Sequence, residues 1–240
     1  MAMRIITWNC NMAYRKKAGL MQAYKPDILV IQECEHPDKL LFEQGLPKPA
    51  DILWLGKNTH KGLAVISYGP FRLRLHRAYN PAFRIVAPIR IQGPESDLLL
   101  YAIWANNPDD PEGQYVTQVW KAIHYYQRMI RRTRTILAGD FNSNTIWDRP
   151  RRDGNHSDLV KRLARKNIRS VYHHFYNQEH GQEAHPTLYL YRSQERPYHI
   201  DYCFVSDDLL RRLESVEIGD YESWKKYSDH VPVIASFREE

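Results

Sequence analysis

Short apolar runs punctuated by polar turns dominate the chain. Strand-sized runs lie at Arg4–Cys10, Ile28–Cys34, Ile52–Leu55, Leu63–Tyr68, Ile85–Ile91, Leu98–Ala105, Thr135–Ala138, Leu188–Tyr191, Ile200–Val205 and Val231–Phe237. Turn signals such as Tyr68-Gly69-Pro70, Gln92-Gly93-Pro94 and Asn107-Pro108-Asp109 separate many of them. Helices are expected over about 15–24, about 115–131 (Val116, Val119, Trp120, Ile123 and Ile130 on one face) and 157–166 (Leu159, Val160, Leu163 and Ala164 as the stripe). So many strands with few helices between them predict an α/β (α+β) pattern with mixed or antiparallel pairing. Two stacked sheets with helices outside bury such strands. No repeat, low-complexity tract or long linker interrupts the pattern, so one domain over residues 1–240 is expected.

Composition changes this picture little. The chain is 43% hydrophobic and 26% charged, as for an ordinary globular protein. No run reaches the apolar length of a membrane span, and the first residues lack the layout of a signal peptide. Cys10, Cys34 and Cys203 are odd in number and lie in apolar segments. Free buried thiols in a reducing compartment, the cytoplasm, follow. The net charge of +6 is concentrated in Arg128, Arg131, Arg132 and Arg134, then Arg149, Arg151 and Arg152, then Lys161, Arg162, Arg165 and Lys166. Such clusters suit either a solvated face or a surface that tracks phosphates.

The chemistry gathers at strand ends. These read Thr7-Trp8-Asn9-Cys10-Asn11, Gln32-Glu33-Cys34-Glu35, Gly139-Asp140-Phe141-Asn142-Ser143, His199-Ile200-Asp201-Tyr202 and Ser228-Asp229-His230-Val231-Pro232. Any one of them fits a turn or a helix cap. Five together place carboxylates, carboxamides and an imidazole where burial is costly without a compensating cation or proton. Oxygen donors from Glu33, Asp229 and Asn9 suit Mg²⁺ or Mn²⁺. His173, His174, His180 and His185 show no zinc-type spacing.

In this order the five motifs, running from Asn9 to His230, resemble the endonuclease/exonuclease/phosphatase superfamily. The resemblance implies a four-layer sandwich, two packed mixed β-sheets flanked by helices, with the active site where strand ends of both sheets converge. It implies a hydrolase of phosphate esters, most readily a nuclease. Glu33 is then the principal metal ligand, with Asn9 and Asp229. Asp140 orients or deprotonates the attacking water, Asn142 holds a phosphate oxygen, and His230 meets the phosphate with Asp201 fixing its tautomer. A phosphatase or phosphodiesterase for inositol phosphate or sphingomyelin, and a catalytically silent binding protein, are the alternatives. No protein partner is expected.

Several positions depart from the abasic-site endonucleases of that group. Glu35 stands where they carry Lys, Trp104 where they carry Tyr, and Phe141 where they carry Leu. These departures argue against abasic-site repair. Trp104 is either core or a stacking surface for a substrate ring. Trp147 with Arg149, Arg151 and Arg152 forms an expected lip for a polyanion, and His185 an expected lining of the cleft; loop residues are the plainer reading of both.

Overall fold

The computed structural model describes residues 2–40, 42, 47–83, 86–94, 96–106, 115–130 and 134–239. Arg131, Arg132 and the turn at residues 107–109 lie outside them. The strands are β1 (Met3–Asn9), β2 (Ile28–Cys34), β3 (Asp51–Asn58), β4 (Lys61–Ser67), β5 (Arg72–Leu75), β6 (Val86–Gln92), β7 (Asp97–Trp104), β8 (Arg134–Asp140), β9 (Ile168–Ser170), β10 (Leu188–Tyr189), β11 (Pro197–Tyr198), β12 (Asp201–Ser206), β13 (Leu213–Ile218) and β14 (Val233–Phe237). The α-helices are α1 (Ala18–Gln22), α2 (Val116–Tyr125), α3 (His156–Ala164), α4 (Val171–Tyr176), α5 (Asp207–Leu210) and α6 (Tyr221–Trp224). One sheet has the order β13-β14-β1-β2-β4-β3, the other β5-β6-β7-β8-β12-β9, and β10 and β11 form a small ribbon.

Adjacent strand residues point to opposite faces, and in the central strands both faces are buried. Ile5, Val30 and Val65 of the first sheet meet Leu100, Ala102, Ile136, Ala138 and Val205 of the second in a core between the sheets. Their neighbours Ile6, Trp8, Leu29 and Ile31 turn outward onto Ala18, Met21 and Trp224. On the far side, Tyr101, Ile103, Leu137 and Phe204 turn onto Val119, Ile123, Leu159 and Leu163. The result is the expected sandwich, helix, sheet, sheet, helix.

The differences from the sequence reading have local causes. β5 reads Arg-Leu-Arg-Leu and β13 carries exposed acids, because both sit on sheet edges where charge is tolerated. The expected first helix divides into a 3₁₀ turn at Tyr14–Lys16 followed by α1. α4, built from aromatic and β-branched residues of poor helix propensity, is started by Ser170, whose side chain accepts from the His173 amide. The expected strand at Leu188–Tyr191 shrinks to β10, since Tyr191 is left-handed at φ 58°.

The sheets are joined edge to end by their geometry. β1 and β2 run parallel, as do β7 and β8. β12 runs antiparallel to β8 with Asp201 opposite Asp140, and β14 runs antiparallel to β1, so the segment before β14 arrives beside Asn9. Gly139 makes this end possible: its φ is 149°, and a Cβ there would lie 1.9 Å from the Ile103 carbonyl oxygen. Gly139→Ala is therefore expected to destabilise the fold by about 3 kcal/mol or more, from backbone overlap plus unfavourable φ. Thermal melts should show a fall of about 6–12 °C; an unchanged melting temperature would mean that β7 and β8 can separate here at no cost.

Candidate active site

At the end of β1, Asn9 is buried, its Oδ1 accepting from the Asn11 amide at 3.1 Å. Its Nδ2 donates to Asp140 Oδ2 at 3.1 Å and lies 3.5 Å from Glu33 Oε1. Asn11, Met12 and Ala13 are all left-handed, at φ 50°, 61° and 50°. Lys17 Nζ gathers this turn by donating to the carbonyls of Cys10 and Met12, and reaches Tyr227 O across the fold.

Glu33 is aimed by a bulge. Pairing between β2 and β4 shifts between Ile31 and Cys34, and Glu33 itself has φ 60°. Gln32 points inward and donates to Thr7 Oγ1, while Glu33 turns toward the cleft and meets Lys61 Nζ at 3.0 Å. Glu35, by contrast, is buried and accepts from the Tyr14 and Arg15 amides and from Arg15 Nη1. It anchors the turn after β1 and does not face the cleft groups.

The second sheet brings Asp140 and Asp201, and the segment that enters β14 of the first sheet brings Asp229 and His230. Asp140 ends β8 fully buried, and its Oδ1 accepts from the amide of left-handed Asn142 at 2.9 Å. Asn142 Nδ2 donates to Ala105 O, which leaves one amide hydrogen for a ligand. His230 Nδ1 lies 2.9 Å from Asp201 Oδ2, and Thr187 Oγ1 accepts from the Asp201 amide. Ser228 Oγ ties this segment to the end of β1 by donating to Asn9 O and accepting from the His230 amide. Asp229 Oδ1 accepts from Asn11 Nδ2 at 2.8 Å. One ligating atom each from Asp140, Asp201 and His230 falls within 4.8 Å of the others.

Burial alone would lower the His230 pKa, but Asp201, through charge and hydrogen bond, pushes it up to about 10. Burial and the Asp201 charge raise Asp140 to about 7, against the pull of His230 and Asn9. Four carboxylates, Glu33, Asp140, Asp201 and Asp229, face two cations, Lys61 and protonated His230. Even with Asp140 raised to about 7, the carboxylates outnumber the cations. Asp201 Oδ1 is also buried with no hydrogen-bond partner among the described residues. This charge balance and these hard oxygens fit a divalent cation. The expected ligands are only partly gathered: Glu33 and Asp229 lie on either side of the Asn9–Asn11 turn, and Asn9 turns its nitrogen, not its oxygen, to the carboxylates. An Asn9 oxygen ligand requires rotation of that amide.

The family model of the endonuclease/exonuclease/phosphatase family matches residues 6–230. The chain belongs to that family. Its fold is similar to a Neisseria 3′ phosphatase, NExo, bound to product DNA hairpin (TM-score 0.73, 22% identity, 99% of this chain and 100% of the other). It is similar as well to an AP endonuclease from Archaeoglobus fulgidus (0.71, 20%, 99% and 100%) and to one from Leishmania major (0.68, 16%, 100% and 88%). No curated protein matches the chain in sequence. Membership places it among hydrolases of phosphate esters, and no helix among the described residues is long and apolar enough to cross a membrane.

Around this endonuclease/exonuclease/phosphatase centre the expected substrate residues divide. Trp104, half-buried at the end of β7, stands opposite Asp140 in the β7–β8 register with Lys61 Nζ 5.3 Å above its ring. It lines a cavity of about 300 Å³ with Leu55, Lys61 and Tyr79. Trp147 packs on Tyr198, and with Asn142, Arg149 and Arg152 lines a second cavity of about 300 Å³. Arg151 is exposed at φ 62° and outside that lining, so of the three expected arginines Arg149 and Arg152 border the cavity. His185 is also misplaced by the sequence reading: its Nδ1 meets Tyr172 Oη at 2.9 Å and its ring packs on Tyr176, so it braces α4 and contacts none of the groups named above. Sequence reasoning missed Lys61 and Thr187, which carry no motif and are brought in by a hairpin and by the segment beside β12, and it gave no role to Asn11, which closes the first strand-end run and reaches Asp229 through a left-handed turn.

The His230–Asp201 pair generates a pH prediction. Asp201 favours the charged imidazole, so Asp201→Asn lowers the His230 pKa, and activity that needs the imidazolium is lost at lower pH. The alkaline limb of kcat/KM against pH should move down by about 1–3 pH units. An alkaline limb at the wild-type position would show that His230 does not work as the cation.

Proposed function

We propose that the protein is a metal-dependent phosphodiesterase that cleaves nucleic acid with a positioned water. One observation carries this reading: Asp140, Asp201 and His230 form a single buried group where the two sheets meet, and Asn9 joins it to Glu33. Phosphoryl transfer is mainly positioning and neutralisation of charge. Asp140, poised near neutrality, accepts the proton of the attacking water. Asp201 holds the proton on His230 Nδ1, which leaves Nε2 for a phosphate oxygen. Asn142 keeps one amide hydrogen for another. Glu33 and Asp229, with Asn9 once its amide turns, are the residues that would hold Mg²⁺ or Mn²⁺, which supplies Lewis-acid charge on the phosphoryl oxygens.

Nucleic acid is favoured over a small phosphate by the flanks. Trp104 with Lys61 on one side, and Trp147 with Arg149 and Arg152 on the other, offer ring faces and cations for more than one nucleotide. The Neisseria neighbour with its DNA hairpin is consistent with that choice. The three buried free thiols support a cytoplasmic location.

EDTA should abolish cleavage of single- and double-stranded DNA or RNA, and Mg²⁺ or Mn²⁺ alone should restore it. Under those conditions Asp140→Asn should lower turnover by about 10²–10⁴ with an unchanged melt. His230→Ala, assayed below its melting transition, should lower it by a similar factor, with a lowered melting temperature because Asp201 is left buried without its partner. Full activity in EDTA would remove the metal from the reading.

The lip has its own measurement. Replacing Arg149 and Arg152 with Ala should flatten the slope of log affinity for DNA against log salt by about 0.7–0.9 for each phosphate these side chains neutralise, whereas Arg151→Ala leaves it unchanged. Equal slopes for wild type and the double variant would make the arginines solvated loop charges and turn the choice to a small phosphate ester, which an inositol phosphate and a chromogenic diester in the same panel would reveal.

A further inference from the structure

Beside α4, where it faces α3 and β9, lies a second cluster of metal-type side chains that the phosphodiesterase reading leaves unused. His173 on α4, and His180 and Glu183 in the connection after it, each bring one ligating atom within 4.8 Å of the others. They are separated by six and two residues in the chain, and it is the turn after α4, through left-handed Asn177 and Gly181 at φ 92°, that folds them together.

The outer contacts are those that orient metal-bound imidazoles. His173 Nδ1 is 2.7 Å from Ser170 Oγ, leaving Nε2 to face Glu183 Oε1 at 3.0 Å. His180 Nδ1 is 3.3 Å from His156 Nε2, and His156 Nδ1 is 2.9 Å from Ser143 Oγ. Glu183 is fixed by the Gly181 amide and by Asn144 Nδ2. Each of the three side chains is thus held from behind by a hydroxyl, an imidazole or an amide, the arrangement that sets tautomer and direction at a metal. Ser170 Oγ, which accepts from the His173 amide, has its own hydrogen to give Nδ1, so Nε2–H donates to Glu183 Oε1, and it is this proton that a cation between the two side chains would displace. His173 and His180 also line an open cavity of about 350 Å³ with Ser170, His174 and Asn177, which gives an ion a way in and room for a water ligand.

We propose that His173, His180 and Glu183 bind one Zn²⁺ at a site distinct from the catalytic centre. Two imidazoles and a carboxylate suit Zn²⁺ better than Mg²⁺, and the cavity leaves the fourth position to water. The ion replaces a proton shared by His173 and Glu183, and that proton goes to solvent. Bound there, it ties the 177–187 connection to α4 and, through Asn144, to the turn that follows Asp140. The same connection ends at Thr187, whose hydroxyl holds the Asp201 amide.

The test uses the full chain stripped of metal and then loaded with Zn²⁺ or Co²⁺ in excess Mg²⁺. After desalting, one equivalent of Zn²⁺ should remain per chain. At Zn²⁺ about 100-fold above its dissociation constant the melting temperature should rise by about 5–10 °C. The Co²⁺ form should show the intense visible absorption of a four-coordinate site. Glu183→Gln and His180→Ala should lose the retained ion, the absorption and the thermal shift, while Glu33→Gln keeps all three. No retained ion in the wild type, equal retention in Glu183→Gln, or loss in Glu33→Gln would each overturn the assignment, the last by placing the ion in the catalytic cleft.

Discussion

Burying charge at the meeting of two sheets is the constraint on which the structure of this protein depends. The Asp201 carboxylate has almost no access to water, and an isolated ion so placed would neutralise or expel itself. It stays because His230 lies 2.9 Å away and because its own amide is held by Thr187. That pair needs β12 in register with β8, and β14 in register with β1. A slip of one residue in either would turn the pair apart, since successive side chains face opposite ways. The catalytic arrangement and the strand registers are therefore one specification.

The same end of the molecule concentrates backbone that is unfavourable by itself. Glu33, Asn142 and the run from Asn11 to Ala13 are left-handed without being glycine, and Gly139 is glycine because the Ile103 carbonyl leaves no room for a Cβ. Local conformations of this kind persist where surrounding contacts over-determine them, and here those contacts are Lys17 on the turn carbonyls, Ala105 on Asn142 and Ser228 on Asn9. The core between the sheets supplies the rigidity that lets strand ends carry such strain.

The layers were legible because both faces of the central strands are apolar, so that β2 and β7 announce themselves as Ile-, Val- and Leu-rich runs, and β1 and β12 as shorter apolar runs that include aromatic residues. Asn9, Glu33, Asp140, Asp201 and His230 were legible as polar residues interrupting those runs. The edge strands β5 and β13 were not, because Arg72 and Arg74 in the one and Glu214 and Glu217 in the other make them read as loops. Lys61 carries no signal because its partner Glu33 is presented by a bulge that the sequence does not mark. The convergence of His173 with His180 and Glu183 escaped for another reason: their spacing is wide, and only two left-handed residues in the connection bring them together. His185 and Arg151 show the opposite error, in which nearness along the chain to a motif does not become nearness in space.

Cys10 and Cys34 follow Asn9 and Glu33 directly, yet both are buried, and burial lifts their thiols far above the range in which thiolate forms at neutral pH. They are consequently poor nucleophiles as long as β1 and β2 stay covered by α1 and Trp224. Alkylating reagents then reach them only through openings of the first sheet, which makes the rate of thiol modification a built-in clock for local unfolding beside the catalytic end, read without any engineered label.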